Sequence, residues 1–322
     1  MNDMKDMPAS ESWPAPPDVL PPAKGELIWR VRGMARTIRP HQWIKNVFVL
    51  APVLFARSIF DLELLATAAA AFIVFCLLAG AVYTMNDLAD LEADRVHPVK
   101  RYRPIASGRV PVPWAKALIV VLTVVSLGGA LVLSPWFCLV ALGYFVNNVL
   151  YTQRLKHVAY LDVASISAGF VLRVLGGGFA TGIQVSSYLV LCTALLALFL
   201  GFGKRRHELT TAQARAGKQR VALESYTERG LDWALGITAA LTLGTYLTYT
   251  LDPATLKFFG VNHLWPTTAF GVLGVLRFLH IVKNRPRAES PTQEMVSDGP
   301  MVAIALAWVA GVIWLVYHLK PA

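Results

Sequence analysis

Nine apolar segments, each close to the length of a membrane-crossing helix, constrain this chain more than any other feature of its sequence. Their approximate limits are 43–60, 64–87, 114–133, 136–151, 160–180, 188–203, 231–251, 265–282 and 301–317. A helix needs about 20 apolar residues to cross the hydrocarbon core, and a mean hydropathy of +0.50 is too high for a soluble domain of this length. The sequence therefore predicts an all-α integral membrane protein with nine transmembrane helices.

The positions of the basic residues predict the topology. Of the 30 Lys and Arg residues, 26 lie in segments 1–45, 88–116, 151–159, 203–230 and 277–289, which are alternate loops of a nine-helix chain. Because cytoplasmic loops accumulate Lys and Arg, we expect a cytoplasmic N-terminus in the inner (cytoplasmic) membrane. Residues 1–35 are predicted to be a disordered tail, and the loop 285–300 a linker, with a partly ordered lid as its alternative. These loops account for the net charge of +10, so no nucleic-acid partner is predicted.

An acidic stretch stands where the second apolar segment ends. Four-residue steps place Asn86, Asp90 and Asp94 on one stripe of a helix, with Asp87 and Glu92 to either side. Like charges four residues apart repel on a helix, and a bound cation would remove that repulsion. Oxygen-only donors suit Mg²⁺, which typically takes one or two carboxylates together with substrate phosphates. The stretch therefore predicts a Mg²⁺ site at a membrane surface.

A basic stretch follows directly and offers an alternative without metal. Lys100, Arg101 and Arg103 lie within ten residues of the last aspartate. In this interpretation they neutralise a solvated acidic helix end, and no cation binds.

Charges at membrane depth predict a second polar site. Arg173 lies deep in the fifth segment, and Asp162 precedes it by three helical turns on the same face. Such charges face a cavity or a partner, so Arg173 either holds a phosphate bidentately or forms an intramembrane ion pair. At the end of the sixth segment, Lys204, Arg205 and Glu208 either bind a phosphate or only set the topology.

A third basic group lies at the start of the first segment. His41 and Lys45 share a helical face there, and Asn46 is adjacent. The group is either a further phosphate grip or an interfacial anchor.

The acidic stretch resembles the UbiA-type superfamily of membrane prenyltransferases, whose first signature is NDxxDxxxD followed by RPxxSG. This chain reads Asn86-Asp87-x-x-Asp90-x-x-x-Asp94 and then Arg103-Pro104-Ile105-Ala106-Ser107-Gly108. The resemblance covers residues 36–319 and implies a catalytic α-helical bundle around a cavity that opens to the cytoplasm and to lipid.

One departure from that superfamily narrows the resemblance. Its aromatic prenyltransferases carry a second aspartate-rich motif after helix six, where this chain has Gly203-Lys204-Arg205-Arg206-His207-Glu208-Leu209. One acidic and one basic site suggest two different phosphorylated substrates, an arrangement similar to the decaprenyl-phosphate phosphoribosyltransferase branch. Further matches are Arg39-Pro40-x-Gln42-Trp43-x-Lys45-Asn46, His97-Pro98-x-Lys100-Arg101, Gly169-Phe170-Val171-Leu172-Arg173 and Leu223-Glu224-Ser225-Tyr226-Thr227.

The resemblance implies a reaction and assigns roles to residues. Phosphoribosyl pyrophosphate would donate its phosphoribosyl group to a polyprenyl phosphate, with Mg²⁺ as cofactor and the bilayer supplying the lipid. The expected metal ligands are Asn86, Asp90 and Asp94, and the expected catalytic residues are Asp87, Asp90 and Asp94. The expected substrate-binding residues are Lys45, Asn46, Lys100, Arg103, Asp162, Arg173, Lys204, Arg205 and Glu208. The alternatives are a prenyltransferase with an aromatic acceptor and a transporter, and a homo-oligomer is compatible with the sequence.

Overall fold

The computed structural model describes residues 25–58, 60–215, 223, 225–261, 263–284, 294–295 and 297–318, and all regular structure within them is helical. Its α-helices are α1 (Glu26–Thr37), α2 (Ala51–Phe55), α3 (Leu62–Ala89), α4 (Leu91–Arg95), α5 (Val112–Leu133), α6 (Pro135–Gln153), α7 (Leu161–Thr181), α8 (Ser187–Arg215), α9 (Glu228–Leu251), α10 (Pro253–Phe259), α11 (Thr268–Asn284) and α12 (Gly299–His318). Short 3₁₀ helices connect several of them, and a long one, Pro40–Leu50, precedes α2.

The chain divides into two compact units. The first holds the described residues up to 145 together with residues 176–183, and the second holds residues 146–175 and the described residues from 184 onward. In the first unit, α3 packs along α5 and against the 3₁₀ helix Pro40–Leu50. In the second, α8 packs on α9, and α11 contacts α8, α9 and α12.

Glycines permit the close packing in the first unit. A Cβ on Gly177 would lie 1.9 Å from the carbonyl oxygen of Val49, and one on Gly176 would lie 2.6 Å from the Phe75 ring. A larger residue would push the Val49 backbone away at position 177 and displace the Phe75 ring at position 176, because close-packed interiors leave no room for an added methyl group. Gly176 and Gly177 thus allow α7 to pack closely on its neighbours at these two contacts.

Six of the described helical segments are long and apolar enough to cross a membrane. They are α3, α5, α7, α8, α9 and Trp265–Asn284, which contains α11. The first predicted segment, 43–60, differs from a single spanning α-helix. It forms the 3₁₀ helix Pro40–Leu50 followed by the five residues of α2. Pro52, inside the predicted segment, lacks the backbone N–H that an uninterrupted α-helix would need there.

Two predictions about polar segments also require correction. Residues 26–35 are helical in α1, so the predicted tail is wrong for that part, and residues 1–24 lie outside the described residues. The predicted linker 285–300 falls outside the description between 285 and 293. Its end is ordered, because Asp298 accepts two hydrogen bonds from Arg277 on α11 and one from the Met301 N–H at the start of α12.

Candidate functional site

The acidic stretch spans a break between two helices. Helix α3 ends at Ala89, and Asp90, with φ −92° and ψ 8°, connects it to α4. The expected uninterrupted helix through Asp94 is therefore wrong. The four-residue spacing survives nonetheless, because the Asp90 N–H donates to the Asn86 carbonyl and the Asp94 N–H donates to the Asp90 carbonyl, at 3.0 and 2.8 Å.

Two buried carboxylates meet at this break. Arg103 Nη1 lies 3.2 Å from Asp87 Oδ1 and 2.6 Å from Asp94 Oδ2, so one guanidinium nitrogen bridges two acids seven residues apart. Arg39 Nη2 donates to the same Asp87 oxygen at 2.5 Å. Asn86 and Asp90 are half-buried beside them. The positive charges of Arg39 and Arg103 thus offset the negative charges of Asp87 and Asp94.

Arg39 reaches the acidic cluster from an unusual backbone conformation. Its φ of 51° and ψ of 63° lie in the left-handed region, which is costly for a residue with a Cβ. This turn between α1 and the 3₁₀ helix directs its guanidinium to Asp87 and over the Tyr83 ring, 5.4 Å from the ring centroid. The contacts of the side chain with α3 stabilise the strained backbone.

His97 orders the loop that carries the basic residues. Its Nδ1 accepts the N–H groups of Val99 and Lys100, both at 3.2 Å, at the start of the 3₁₀ turn Lys100–Tyr102. Partial burial and the nearby Lys100 cation lower the pKa of the imidazole. The neutral ring with an unprotonated Nδ1 is therefore the form that stabilises this loop.

The geometry of the acidic cluster suits a hard cation. No group of three or more His, Cys, Asp or Glu side chains is arranged as a metal site in the part of the chain that the structure describes. The two carboxylate oxygens nevertheless converge on one point, which the Arg103 nitrogen occupies. Proteins typically hold Mg²⁺ with one or two carboxylates together with phosphate oxygens, and these two side chains supply the carboxylates. The residues fit the ion provided that Arg103 moves aside.

A second polar cluster lies in the second unit, at the start of α7. The hydroxyl of Tyr226 donates to Asp162 Oδ1 at 2.6 Å and accepts the Tyr160 N–H at 2.7 Å. Tyr160 has a left-handed φ of 67°, and its ring lies 4.9 Å from the Tyr226 ring. Burial and the hydrogen bond to Asp162 raise the pKa of the Tyr226 phenol. The segment that precedes α9 is thereby attached to the start of α7.

Arg205 on α8 is buried against the same aspartate. Its Nε lies 2.6 Å from Asp162 Oδ2 as an ion pair without hydrogen-bond alignment, and its Nη1 donates to Glu208. The Arg205 side chain is only 3% exposed, whereas Lys204 is 40% exposed and lies 3.8 Å from the other Glu208 oxygen. Lys204 is thus the accessible cation of this trio, and Arg205 positions the acids.

The remaining predicted residues have the following described contacts. Arg173 donates to the Gly169 carbonyl of its own helix and lies 5.4 Å from the Phe170 ring centroid. Asp162 pairs with Arg205, although its spacing from Arg173 had suggested a shared face. Asn46 is buried against Cys76 in the middle of α3, Lys45 donates to Gln42, and Lys100 is exposed.

Sequence reasoning assigned no role to three residues that organise the clusters: Arg39, Tyr160 and Tyr226. Arg39 and Tyr226 do lie in motifs quoted above, but the motifs do not indicate which partner each residue contacts. The left-handed conformation of Tyr160 leaves no signal in the sequence.

Comparison with known proteins shows a family match and several sequence relatives that cover most of the chain. The sequence profile of the UbiA prenyltransferase family matches residues 47–293. Decaprenyl-phosphate phosphoribosyltransferase from Mycobacterium tuberculosis is 38% identical over 288 residues, covering 88% of this chain and 93% of that protein. The protein of the same name from Corynebacterium glutamicum is 34% identical over 289 residues, covering 88% of this chain and 87% of the relative.

Solved structures extend the likeness to the fold. A UbiA homologue from Archaeoglobus fulgidus, bound to DMAPP and Mg²⁺, superimposes with a TM-score of 0.64 over 89% of this chain and 99% of that one. At 18% identity the agreement concerns the fold alone.

Proposed function

The chain belongs to the UbiA prenyltransferase family, and from that premise we propose that it transfers a 5-phosphoribosyl group from phosphoribosyl pyrophosphate to a polyprenyl phosphate. The observation that carries this proposal is the 34–38% identity, over most of the chain, to relatives named decaprenyl-phosphate phosphoribosyltransferase. The protein is a multi-pass membrane enzyme, and its lipid substrate enters from the bilayer.

The reaction needs no protein base. A phosphate oxygen of the lipid, already anionic at neutral pH, forms a bond to C1 of the ribose. The bond from C1 to the pyrophosphate oxygen breaks, and its electron pair leaves with pyrophosphate. The protein must therefore hold two anionic substrates in line and stabilise charge on the leaving group.

The acidic cluster provides the donor side of this proposal. Bound Mg²⁺ would neutralise the pyrophosphate as it leaves, and Asp94, Asp90 and Asn86 are its predicted ligands. The convergence of Asp87 with Asp94 on one nitrogen adds Asp87 to that set. Arg103 and Arg39, once released from the carboxylates, can donate bidentate hydrogen bonds to phosphate oxygens.

The cluster in the second unit provides a cation for another phosphate. Lys204 is accessible there, whereas Asp162, Tyr226 and Arg205 satisfy one another and set the position of Glu208. We propose that Lys204 contacts phosphate and that Arg205 acts through Glu208 and Asp162. The chain offers no second aspartate-rich motif at this place, which favours a phosphate group over a second metal-bound diphosphate.

The proposed topology has nine crossings with a cytoplasmic N-terminus. Besides the six apolar helices, α6, α12 and the 3₁₀ helix with α2 complete the number. A 3₁₀ helix rises about 2 Å per residue, so Pro40–Phe55 spans roughly 30 Å despite having only 16 residues. The polar ends of α3 and α8 then lie at the cytoplasmic face.

Mass spectrometry of the lipid product tests the reaction. The purified protein is incubated with phosphoribosyl pyrophosphate, Mg²⁺ and polyprenyl phosphates of several lengths, and we expect a mass gain of one phosphoribosyl unit. Asp94→Asn should lose the product, and the exposed Lys116→Gln, which lies outside both clusters, is the matched control. Labelled prenyl diphosphate with 4-hydroxybenzoate is the parallel assay, and product there alone would contradict the proposal.

A further inference from the structure

Helix α1 leads directly into the turn that carries Arg39. Only Ile38 separates its last residue, Thr37, from Arg39. A Cβ on Gly80 would lie 3.0 Å from the Ile38 Cβ, so the end of α1 packs closely on α3, seven residues before Asp87. So short a connection leaves the backbone of Arg39 little freedom. The position of α1 therefore determines where the Arg39 guanidinium can reach.

The RPxxSG motif after the acidic stretch folds into one compact turn, residues 103–110, which we call the RPxxSG turn. The N–H of Val110 donates to the Pro104 carbonyl at 2.8 Å and closes it. Gly108 has a left-handed φ of 78°, which glycine adopts without the penalty of a Cβ. The turn begins with Arg103, which bridges the two buried aspartates, and Arg109 directly follows its glycine.

Arg109 binds α1 through a carbonyl and a ring. It is 5% exposed, its Nε donates to the Trp29 carbonyl at 2.8 Å, and its guanidinium carbon lies 5.1 Å from the Trp29 ring centroid. One helical turn later, Gly33 leaves room for this side chain, because a Cβ there would lie 2.9 Å from Arg109 Nε and 3.0 Å from both Cδ and Cγ. Burying a guanidinium costs free energy that its contacts must offset. Arg109 therefore attaches α1 to the RPxxSG turn at a defined point.

A small apolar cluster joins the same parts of the first unit. It combines one residue of α1, two residues that directly follow aspartates of the acidic stretch, and three residues of the RPxxSG turn and the start of α5: Met34, Leu88, Leu91, Ile105, Val110 and Ala115. Close-packed apolar side chains transmit displacements, because they leave no free volume to absorb them. A shift of α1 therefore reaches the acidic cluster.

We infer that Arg109 is a positioning residue of the acidic cluster and acts through α1 on Arg39. The RPxxSG turn supplies Arg103 to the cluster directly, and through Arg109 and α1 it keeps Arg39 at Asp87. Both arginines that offset the buried carboxylates therefore depend on one turn. The inference rests on the proposed function, which assigns this cluster to the diphosphate of the donor, and it gives a role to a residue that lies outside the cluster.

Steady-state kinetics of the full chain test this inference. The KM for phosphoribosyl pyrophosphate is measured at saturating Mg²⁺ and polyprenyl phosphate for Arg39→Gln, Arg109→Gln and the double variant. Loss of one charge-assisted hydrogen bond corresponds to about a ten-fold rise in KM, which we expect for Arg39→Gln and, up to that size, for Arg109→Gln. The double variant should show no further rise, whereas the effects of independent residues would multiply. The KM for polyprenyl phosphate should stay unchanged in all three.

Three further variants separate positioning from stability. Gly33→Ala should raise the KM for the donor because its methyl group displaces the Arg109 side chain. Since alanine forms helices better than glycine, unfolding of α1 cannot explain that rise. Arg109→Lys should recover most of the affinity, because an ammonium group can still donate to the Trp29 carbonyl and lie over its ring. Arg32→Gln, which removes an exposed arginine of the same helix, is the matched control and should leave the KM unchanged.

Calorimetric titration with pyrophosphate and Mg²⁺ gives the same comparison without catalysis. Arg39→Gln and Arg109→Gln should each weaken pyrophosphate binding, and the double variant should weaken it no further. If the parent bound pyrophosphate but formed no phosphoribosyl lipid, the proposed reaction would be wrong, and the binding series would still decide the role of Arg109. Unchanged KM and Kd in Arg109→Gln, or multiplied effects in the double variant, would overturn the inference.

Discussion

Arg103 occupies the point between Asp87 and Asp94 at which we propose that a metal ion binds, and its removal gives a sharp test. The two carboxylates are 3% and 4% exposed, while Arg103 is 28% exposed. Breaking a buried ion pair costs about 3–5 kcal/mol. Because Arg39 still binds Asp87 and Arg103 is partly solvated, we expect Arg103→Gln to lose about 2 kcal/mol of stability in EDTA.

Magnesium should reverse that loss. With Arg103 gone, the ion can occupy the point between the carboxylates, and at 100 times its Kd it stabilises the folded protein by about 2.7 kcal/mol. In the parent protein Mg²⁺ competes with the guanidinium, so it should raise the melting temperature less. The assay is thermal unfolding in detergent, followed by gel filtration, with EDTA or Mg²⁺.

Arg95→Gln is the matched control for this experiment. It removes the same charge from the same stretch, but Arg95 and its partner Glu92 are at least half exposed, so the pair contributes less than about 1 kcal/mol. No response to Mg²⁺ beyond that of the parent is expected. If Arg103→Gln were destabilised and Mg²⁺ failed to restore it, the two carboxylates would not form a cation site.

Three further perturbations test other parts of the structure. His97→Asn should keep an acceptor for the Val99 and Lys100 N–H groups, whereas His97→Ala should not. Because the pKa of His97 is lowered, its ring stays neutral and keeps accepting these N–H groups until the pH drops below about 6.5. The initial rate of the parent should therefore fall only below that pH, and the Asn variant should lack that fall. Tyr226→Phe should lower the free energy of unfolding by about 1–3 kcal/mol, and Tyr249→Phe should lower it less. Because folding raises the pKa of the Tyr226 phenol, the phenol stabilises the folded protein fully below pH 10 and less as the pH rises above it. The free energy of unfolding, measured with a chemical denaturant, should therefore show this extra decline at high pH in the parent and not in Tyr226→Phe. Gly177→Ala should lower the melting temperature by forcing Val49 away, while Gly128→Ala, whose Cβ meets nothing within 4 Å, should not; equal melting would contradict the packing described for α7.

Much of the fold could be predicted from local features of the chain. The lengths of the apolar segments indicate membrane helices, since crossing the hydrocarbon requires a minimum run of apolar residues with every backbone group bonded internally. The acidic and basic motifs indicate a hard cation and phosphorylated substrates, because carboxylates suit Mg²⁺ and Arg and Lys bind phosphate. The internal form of the first segment was missed, since hydropathy does not distinguish a 3₁₀ helix from an α-helix.

The partners of the charged side chains depend on tertiary packing. Between its polar ends, helix α3 is apolar on all sides, so periodicity does not indicate which face carries Asp87 towards Arg39, 48 residues earlier. Tyr226 and Asp162 are 64 residues apart and meet only because α7, α8 and the segment before α9 converge. Residue types and segment lengths are properties of the local chain and can be read in order. Which acid meets which base depends on how the helices rotate and pack, and that is settled by the sum of contacts across the folded molecule.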